Sequence, residues 1–200
     1  MIFSDARYLS SPLVSVFRRV RPDRVGACVE LLVGEGFPLI EVTMDSPHWR
    51  EGASKITAGG GVWGAGTVMT IDDMHEAVEA GAQFLMSPVS DIEVIEAAVR
   101  LGVPFMPGCF TPTEIHESLK AGAEGVKIFP AVSMGTAGIA SLRGPFPNVP
   151  VIATGGVSLS NAVDFLQAGA TYVGIGGSLF TDLSLAQGLL TKFKNALKDS

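Results

Sequence analysis

The chain has little of several things, and each shortage excludes something. Two cysteines, Cys28 and Cys109, in 200 residues make no disulfide framework and no four-cysteine zinc site. Free thiols fit a reducing, cytoplasmic setting. Three histidines show no metal-ligand spacing, so no metal is expected. Charge is sparse: 14 basic and 20 acidic residues give a net charge of −6, which argues against a nucleic-acid partner. No apolar run approaches the length of a membrane span. The opening MIFSDARYLSS carries Asp5 and Arg7 and makes a poor signal peptide. No linker or low-complexity segment divides the chain, so residues 1–200 are expected to form one domain.

Glycine is plentiful at 24 residues, and its placement is regular. A helical stretch, a glycine and a short apolar run recur. Examples are AGAQFLMSP at 80–88, AGAEGVKIFP at 121–130 and AGATYVGIGG at 168–177. Glycine after a helix takes the left-handed position that ends it. An apolar run that does not alternate fits a strand covered on both faces. Thr70 with Asp73, Ser90 with Glu93 and Thr111 with Glu114 have capping-box spacing for the helices that follow. Strands are expected near 13–18, 38–43, 62–66, 84–87, 103–106, 125–129, 150–154 and 172–175. Alternating strands and helices predict an α/β fold, a single-domain (β/α)₈ TIM barrel. An open doubly wound sheet is the alternative, weakened by the lack of a dinucleotide fingerprint. Residues 1–10 are expected to form a short lead-in helix closing the barrel bottom.

In such a barrel, chemistry gathers at the C-terminal strand ends. Lys127 sits inside Gly-Val-Lys-Ile-Phe-Pro, an apolar strand. Burial disfavours an ammonium and frees the amine lone pair, which suits Schiff-base formation with a ketone. A structural ion pair is the other reading. Glu41 interrupts Leu-Ile-Glu-Val-Thr in the same way. It is either Lys127's salt-bridge partner or a proton shuttle. Thr154-Gly155-Gly156 and Gly176-Gly177-Ser178 end strands seven and eight, where barrels often bind phosphate through backbone N–H groups and a helix N-terminus. Tight turns need glycine in any case. Arg18 is placed to hold a carboxylate, and Thr67 either hydrogen-bonds one or caps a helix. His48 follows the Asp45-Ser46-Pro47 turn toward the site. Cys109 is a strand-end thiol without an evident activating base.

Together, Ile40-Glu41-Val42-Thr43, Gly64-Ala65-Gly66-Thr67-Val68, Ser87-Pro88, Pro107-Gly108, Val126-Lys127-Ile128-Phe129-Pro130 and Thr154-Gly155-Gly156-Val157 resemble the 2-keto-3-deoxy-6-phosphogluconate / 4-hydroxy-2-oxoglutarate aldolases. The resemblance implies a class I aldolase barrel, a homotrimer with no cofactor. It makes Lys127 the Schiff-base lysine and Glu41 the general acid/base. It places Arg18 and Thr67 at the pyruvyl carboxylate. It adds Pro88, Phe129 and Thr154 to the substrate wall, and Gly155, Gly156, Gly177 and Ser178 to the phosphate turns. The implied substrate is a phosphorylated keto acid. Two residues depart. Asp45 stands where the gluconate branch has arginine, and its run Met44-Asp45-Ser46-Pro47-His48-Trp49 looks more like the 6-phosphogalactonate branch. Arg19 stands where glycine is common. A helix cap is the other reading of Asp45. Two other functions fit the bare motifs: a phosphate-binding isomerase or synthase without a Schiff base, and a non-catalytic phospho-sugar binder.

Overall fold

The repeated unit builds a sheet that closes on itself. A computed structural model describes residues 2–198. Its strands are β1 (Leu13–Phe17), β2 (Leu39–Thr43), β3 (Val62–Gly66), β4 (Leu85–Met86), β5 (Phe105–Met106), β6 (Gly108–Cys109), β7 (Val126–Ile128), β8 (Val151–Thr154) and β9 (Tyr172–Ile175). They run parallel in the order β5-β4-β3-β2-β1-β9-β8-β7-β6. The two ends of that order, β5 and β6, are halves of one barrel strand. Phe105 pairs with Leu85 on one side, and Gly108 pairs with Lys127 on the other. Pro107 stands between them, and it has no N–H to give a ladder. The fifth expected strand is thus split, and the eightfold barrel closes through it.

A 3-10 turn (Ile2–Ser4) and α1 (Ala6–Leu9) precede the barrel. Outside it lie α2 (Pro22–Glu35), α3 (Trp49–Ala58), α4 (Ile71–Glu79), α5 (Ile92–Arg100), α6 (Pro112–Lys120), α7 (Ala131–Leu142), α8 (Ala162–Gln167) and α9 (Leu183–Ala196). Thr70–Asp73 and Thr111–Glu114 form capping boxes as their spacing predicts. Ser90 does not cap α5. Asp91 does, accepting from the N–H groups of Glu93 and Val94 at 3.0 and 3.3 Å. Its carboxylate stands one residue nearer those donors.

The lead-in segment closes the barrel floor. Phe3 is fully buried, edge-on to Phe84 at 5.3 Å and to Tyr172 at 5.5 Å. These rings join Val14, Leu39, Met86, Met106 and Ile152 in the barrel interior. Burying one such side chain contributes about 2–3 kcal/mol. A larger apolar layer fills the space between strands and helices. Along each strand, neighbours point alternately to these two layers. Val126 and Ile128 enter the outer layer, so Lys127 between them points inward. Ile40 and Val42 do the same for Glu41. Each charged residue therefore interrupts an apolar run and faces the barrel axis above the floor.

Candidate active site

The two inward charges meet. Lys127 Nζ lies 3.4 Å from Glu41 Oε1, with side chains 7% and 1% exposed. They come from strands on nearly opposite sides of the barrel, β7 and β2. Glycine makes the room: a Cβ on Gly66 would collide with the Glu41 carboxylate. The backbone N–H of Lys127 donates to Pro107 O at 2.8 Å, so the broken strand still anchors it. The other carboxylate oxygen, Glu41 Oε2, is buried with no hydrogen-bond partner among the described residues. Burying an acceptor unsatisfied is costly, and its retention points to use.

Both side chains open into a cavity of about 680 Å³ at the C-terminal strand ends. That lies within the range of small-molecule sites, roughly 300–1,000 Å³. Arg18, Phe129, Thr154, Gly155, Gly156 and Gly177 line it, as expected from their strand-end positions. Phe129 places its ring 5.8 Å from Lys127 Nζ. Gly155 and Gly156 have φ of 87° and 80°, which glycine adopts without strain. Gly155 and Gly156 line the cavity with backbone alone, and a Cβ on Gly156 would collide with Val132 behind it. Gly177 opens a 3-10 turn, Gly177–Phe180. The side chain of Ser178 lies outside the described residues. The expected helix N-terminus does not follow Gly156 directly, because α8 starts at Ala162. The glycine turns themselves form this wall.

Arg18 is the hub of the opposite rim. Its Nη1 donates to Asp45 Oδ2 at 2.7 Å and its Nη2 to Thr67 Oγ1 at 2.8 Å. Thr67 does not line the cavity and reaches it through Arg18. The capping reading of Asp45 fails, since α3 has His48 at its N-cap and no side-chain cap. His48 is exposed and lines a separate small recess with Phe17 and Trp49. Pro88 does not line the cavity either; its carbonyl packs against Gly108. Cys109 turns outward to Ser118, 3.5 Å away, and burial pushes its thiol up to about 11. It offers no thiolate near neutral pH. Ser158, Gly174 and Arg19 also line the cavity. Ser158 continues the Thr-Gly-Gly turn, and Gly174 lies two residues before Gly176, on the inward phase of β9. Those two spacings were the available signals. Among the described residues, no group of three or more His, Cys, Asp or Glu could hold a metal.

The chain is similar to known proteins over nearly its whole length. The family model described as KDPG and KHG aldolase matches residues 5–193. A probable 2-dehydro-3-deoxy-6-phosphogalactonate aldolase of Rhizobium meliloti (strain 1021) is 36% identical over 176 residues, covering 86% of this chain and 83% of that protein. A solved structure described as native KDPGal superposes with a TM-score of 0.86 at 29% identity, covering 94% of this chain and 97% of that one. A KDPG aldolase from Legionella pneumophila, solved with pyruvate captured at low pH as a covalent carbinolamine intermediate, gives 0.82 at 28% identity over 96% of each chain.

Proposed function

Because the chain belongs to the KDPG and KHG aldolase family, we propose that Lys127 and Glu41 carry its class I aldol chemistry. The protein is an aldolase, a carbon–carbon lyase. It cleaves a 2-keto-3-deoxy-6-phospho sugar acid to pyruvate and glyceraldehyde 3-phosphate. The observation that supports the residue roles is the inward Lys127–Glu41 pair at 3.4 Å, with Glu41 Oε2 left unpartnered.

The steps follow from those atoms. Lys127 Nζ attacks the C2 ketone, giving a carbinolamine that loses water to an iminium. Glu41 removes the C4 hydroxyl proton. The C3–C4 bond breaks, its electrons pass into the iminium, and glyceraldehyde 3-phosphate leaves. The remaining enamine takes a proton at C3, and water releases pyruvate and the free lysine. The iminium is the electron sink, so the steps call on no metal and no cofactor. Arg18, held by Thr67 and Asp45, faces the pyruvyl carboxylate. Thr154 and Phe129 bound the carbon chain, and the turns at Gly155-Gly156 and Gly177-Ser178 hold the phosphate.

The galactonate epimer, alone or beside the gluconate one, is the substrate assigned here. The Rhizobium meliloti relative and the Asp45-Ser46-Pro47 turn support that choice. The reading includes a cytoplasmic homotrimer. Met69, Val89 and Phe110, each 41–42% exposed after β3, β4 and β6, supply apolar surface for subunit contact. No described helix is long and apolar enough to cross a membrane.

Borohydride reduction in the presence of pyruvate tests the chemistry. Covalent mass on the peptide holding Lys127, lost in Lys127→Ala, is the expected result. A labelled peptide elsewhere, or none, refutes the role given to Lys127.

A further inference from the structure

We propose that Arg19 is a phosphate-gripping, specificity-determining residue, added to the glycine turns. This rests on the phosphate reading above. The backbone at Arg19 lies in the left-handed region, with φ of 55°. Glycine adopts that conformation freely, and arginine does so only with strain. The loop itself does not need an arginine. Its shape is pinned by the Arg19 N–H donating to Ser46 Oγ at 2.8 Å, with Ser46 Oγ in turn 2.8 Å from Thr43 Oγ1. Any residue with an N–H satisfies that contact. A bulky side chain kept at a strained position implies a use for the side chain.

The charges around the cavity show which use. Lys127 is balanced by Glu41, and Arg18 is balanced by Asp45 at 2.7 Å. Arg19 reaches the same Asp45 oxygen only at 3.8 Å, its guanidinium makes no hydrogen bond among the described residues, and its side chain is 71% exposed. One carboxylate thus serves two guanidiniums, and Arg18 holds the shorter contact. Arg19 is left as the surplus cation lining a cavity whose other wall is the bare backbone of Gly155, Gly156 and Gly177. A sugar-acid phosphate brings one carboxylate and a phosphate near two negative charges. A planar guanidinium fork matches two phosphate oxygens at once. Exposure lets the side chain swing from Asp45 to the phosphate as substrate enters.

The test is the ratio of kcat/KM for the 6-phosphorylated sugar acid to that for its dephosphorylated analogue. Wild type is compared with Arg19→Gly, Arg19→Ala and Arg19→Lys. In the glycine and alanine variants the ratio falls about tenfold or more, mainly through KM, because the contact is kept through the reaction. Lysine restores part of it. The wild-type ratio declines with added salt more steeply than that of the glycine variant. The glycine variant keeps or raises Tm, since glycine relieves the backbone; a merely structural arginine would lower it. A wild-type ratio retained in Arg19→Gly overturns the role of Arg19 and leaves the phosphate turns intact. A wild type that does not distinguish the two substrates removes the phosphate subsite, and Arg19 with it.

Discussion

Replacing Glu41 with glutamine separates the catalytic from the structural meaning of the buried pair. The change keeps side-chain volume, so no cavity opens. At the 3.4 Å separation of Lys127 and Glu41, an effective dielectric of about 20 gives roughly 5 kcal/mol of attraction. Desolvation of both charges opposes that gain. Removing one partner of a buried pair typically costs about 3–5 kcal/mol, because the other charge is left uncompensated. The glutamine amide still offers Lys127 an acceptor, which keeps the loss near the lower end, about 3 kcal/mol. For a domain of this size each kcal/mol lowers Tm by roughly 2–4 °C, so calorimetry should read a fall of roughly 6–12 °C. Activity should fall much further than stability explains. Turnover below the new Tm should drop at least about a hundredfold, the usual range for a general acid/base. The pyruvate–borohydride adduct on Lys127 should still form. A lowered Tm with near-normal turnover would refute the argument: the carboxylate would then be a counter-ion, and the proton would travel by another group.

Other outcomes follow from other parts of the site. Gly156→Val forces a branched side chain into Val132 and a φ of 80°; it should lower kcat/KM for phosphorylated substrate far more than for its dephosphorylated analogue, with circular dichroism checked first. Asp45→Asn keeps a hydrogen-bond acceptor for Arg18 and removes the charge; assays with both epimers should show a changed galactonate-to-gluconate preference, and a strong, unaltered gluconate preference would refute the role given to that turn. Burial holds the Cys109 thiol up to about 11, against an unfolded value of 9.0. The unfolded chain therefore loses that proton first, and stability should fall between those values by about 1.4 kcal/mol per pH unit. Denaturant titrations of wild type and Cys109→Ala across that window check it, and equal slopes would refute it.

Lys127 and Glu41 were legible because each breaks an apolar run, and strand alternation then turns both to the barrel axis. The glycine-punctuated repeat made the strand count legible too. Other features depend on contacts between distant segments. The gap at Pro107 separates two ladders that exist only once the barrel closes. Asp91 outcompetes Ser90 as a cap through a one-residue difference in reach, below what spacing resolves. Arg18 reads from sequence as a strand-end cation placed to hold a carboxylate, while its orientation is set by Thr67 and Asp45 on two neighbouring loops. His48 follows the turn whose Asp45 reaches Arg18, yet His48 itself lines a separate recess, and no local pattern distinguishes the two directions.

The left-handed residues other than glycine all follow strands at the barrel top, and that placement carries a physical argument. At the barrel bottom the helix ends turn through Gly36, Gly60, Gly81, Gly102, Gly122 and Gly169, all with positive φ. There the chain takes the unstrained residue for a conformation it needs. At the top, the loops after β1, β2 and β3 place Arg19, His48 and Thr67 in the same region, with φ of 55°, 62° and 59°. Such non-glycine positions cost of order 1–3 kcal/mol each and persist only where surrounding contacts over-determine them. For two of them the contacts are visible: Ser46 holds the Arg19 backbone, and Arg18 holds the Thr67 hydroxyl. A threonine is the more telling case, since β-branching makes positive φ harder still. Thr67 cannot become glycine without Arg18 losing one of its two anchors. The same fold thus uses glycine where a turn or bare backbone is wanted, and accepts strain at Arg19 and Thr67, whose side chains serve the cavity rim.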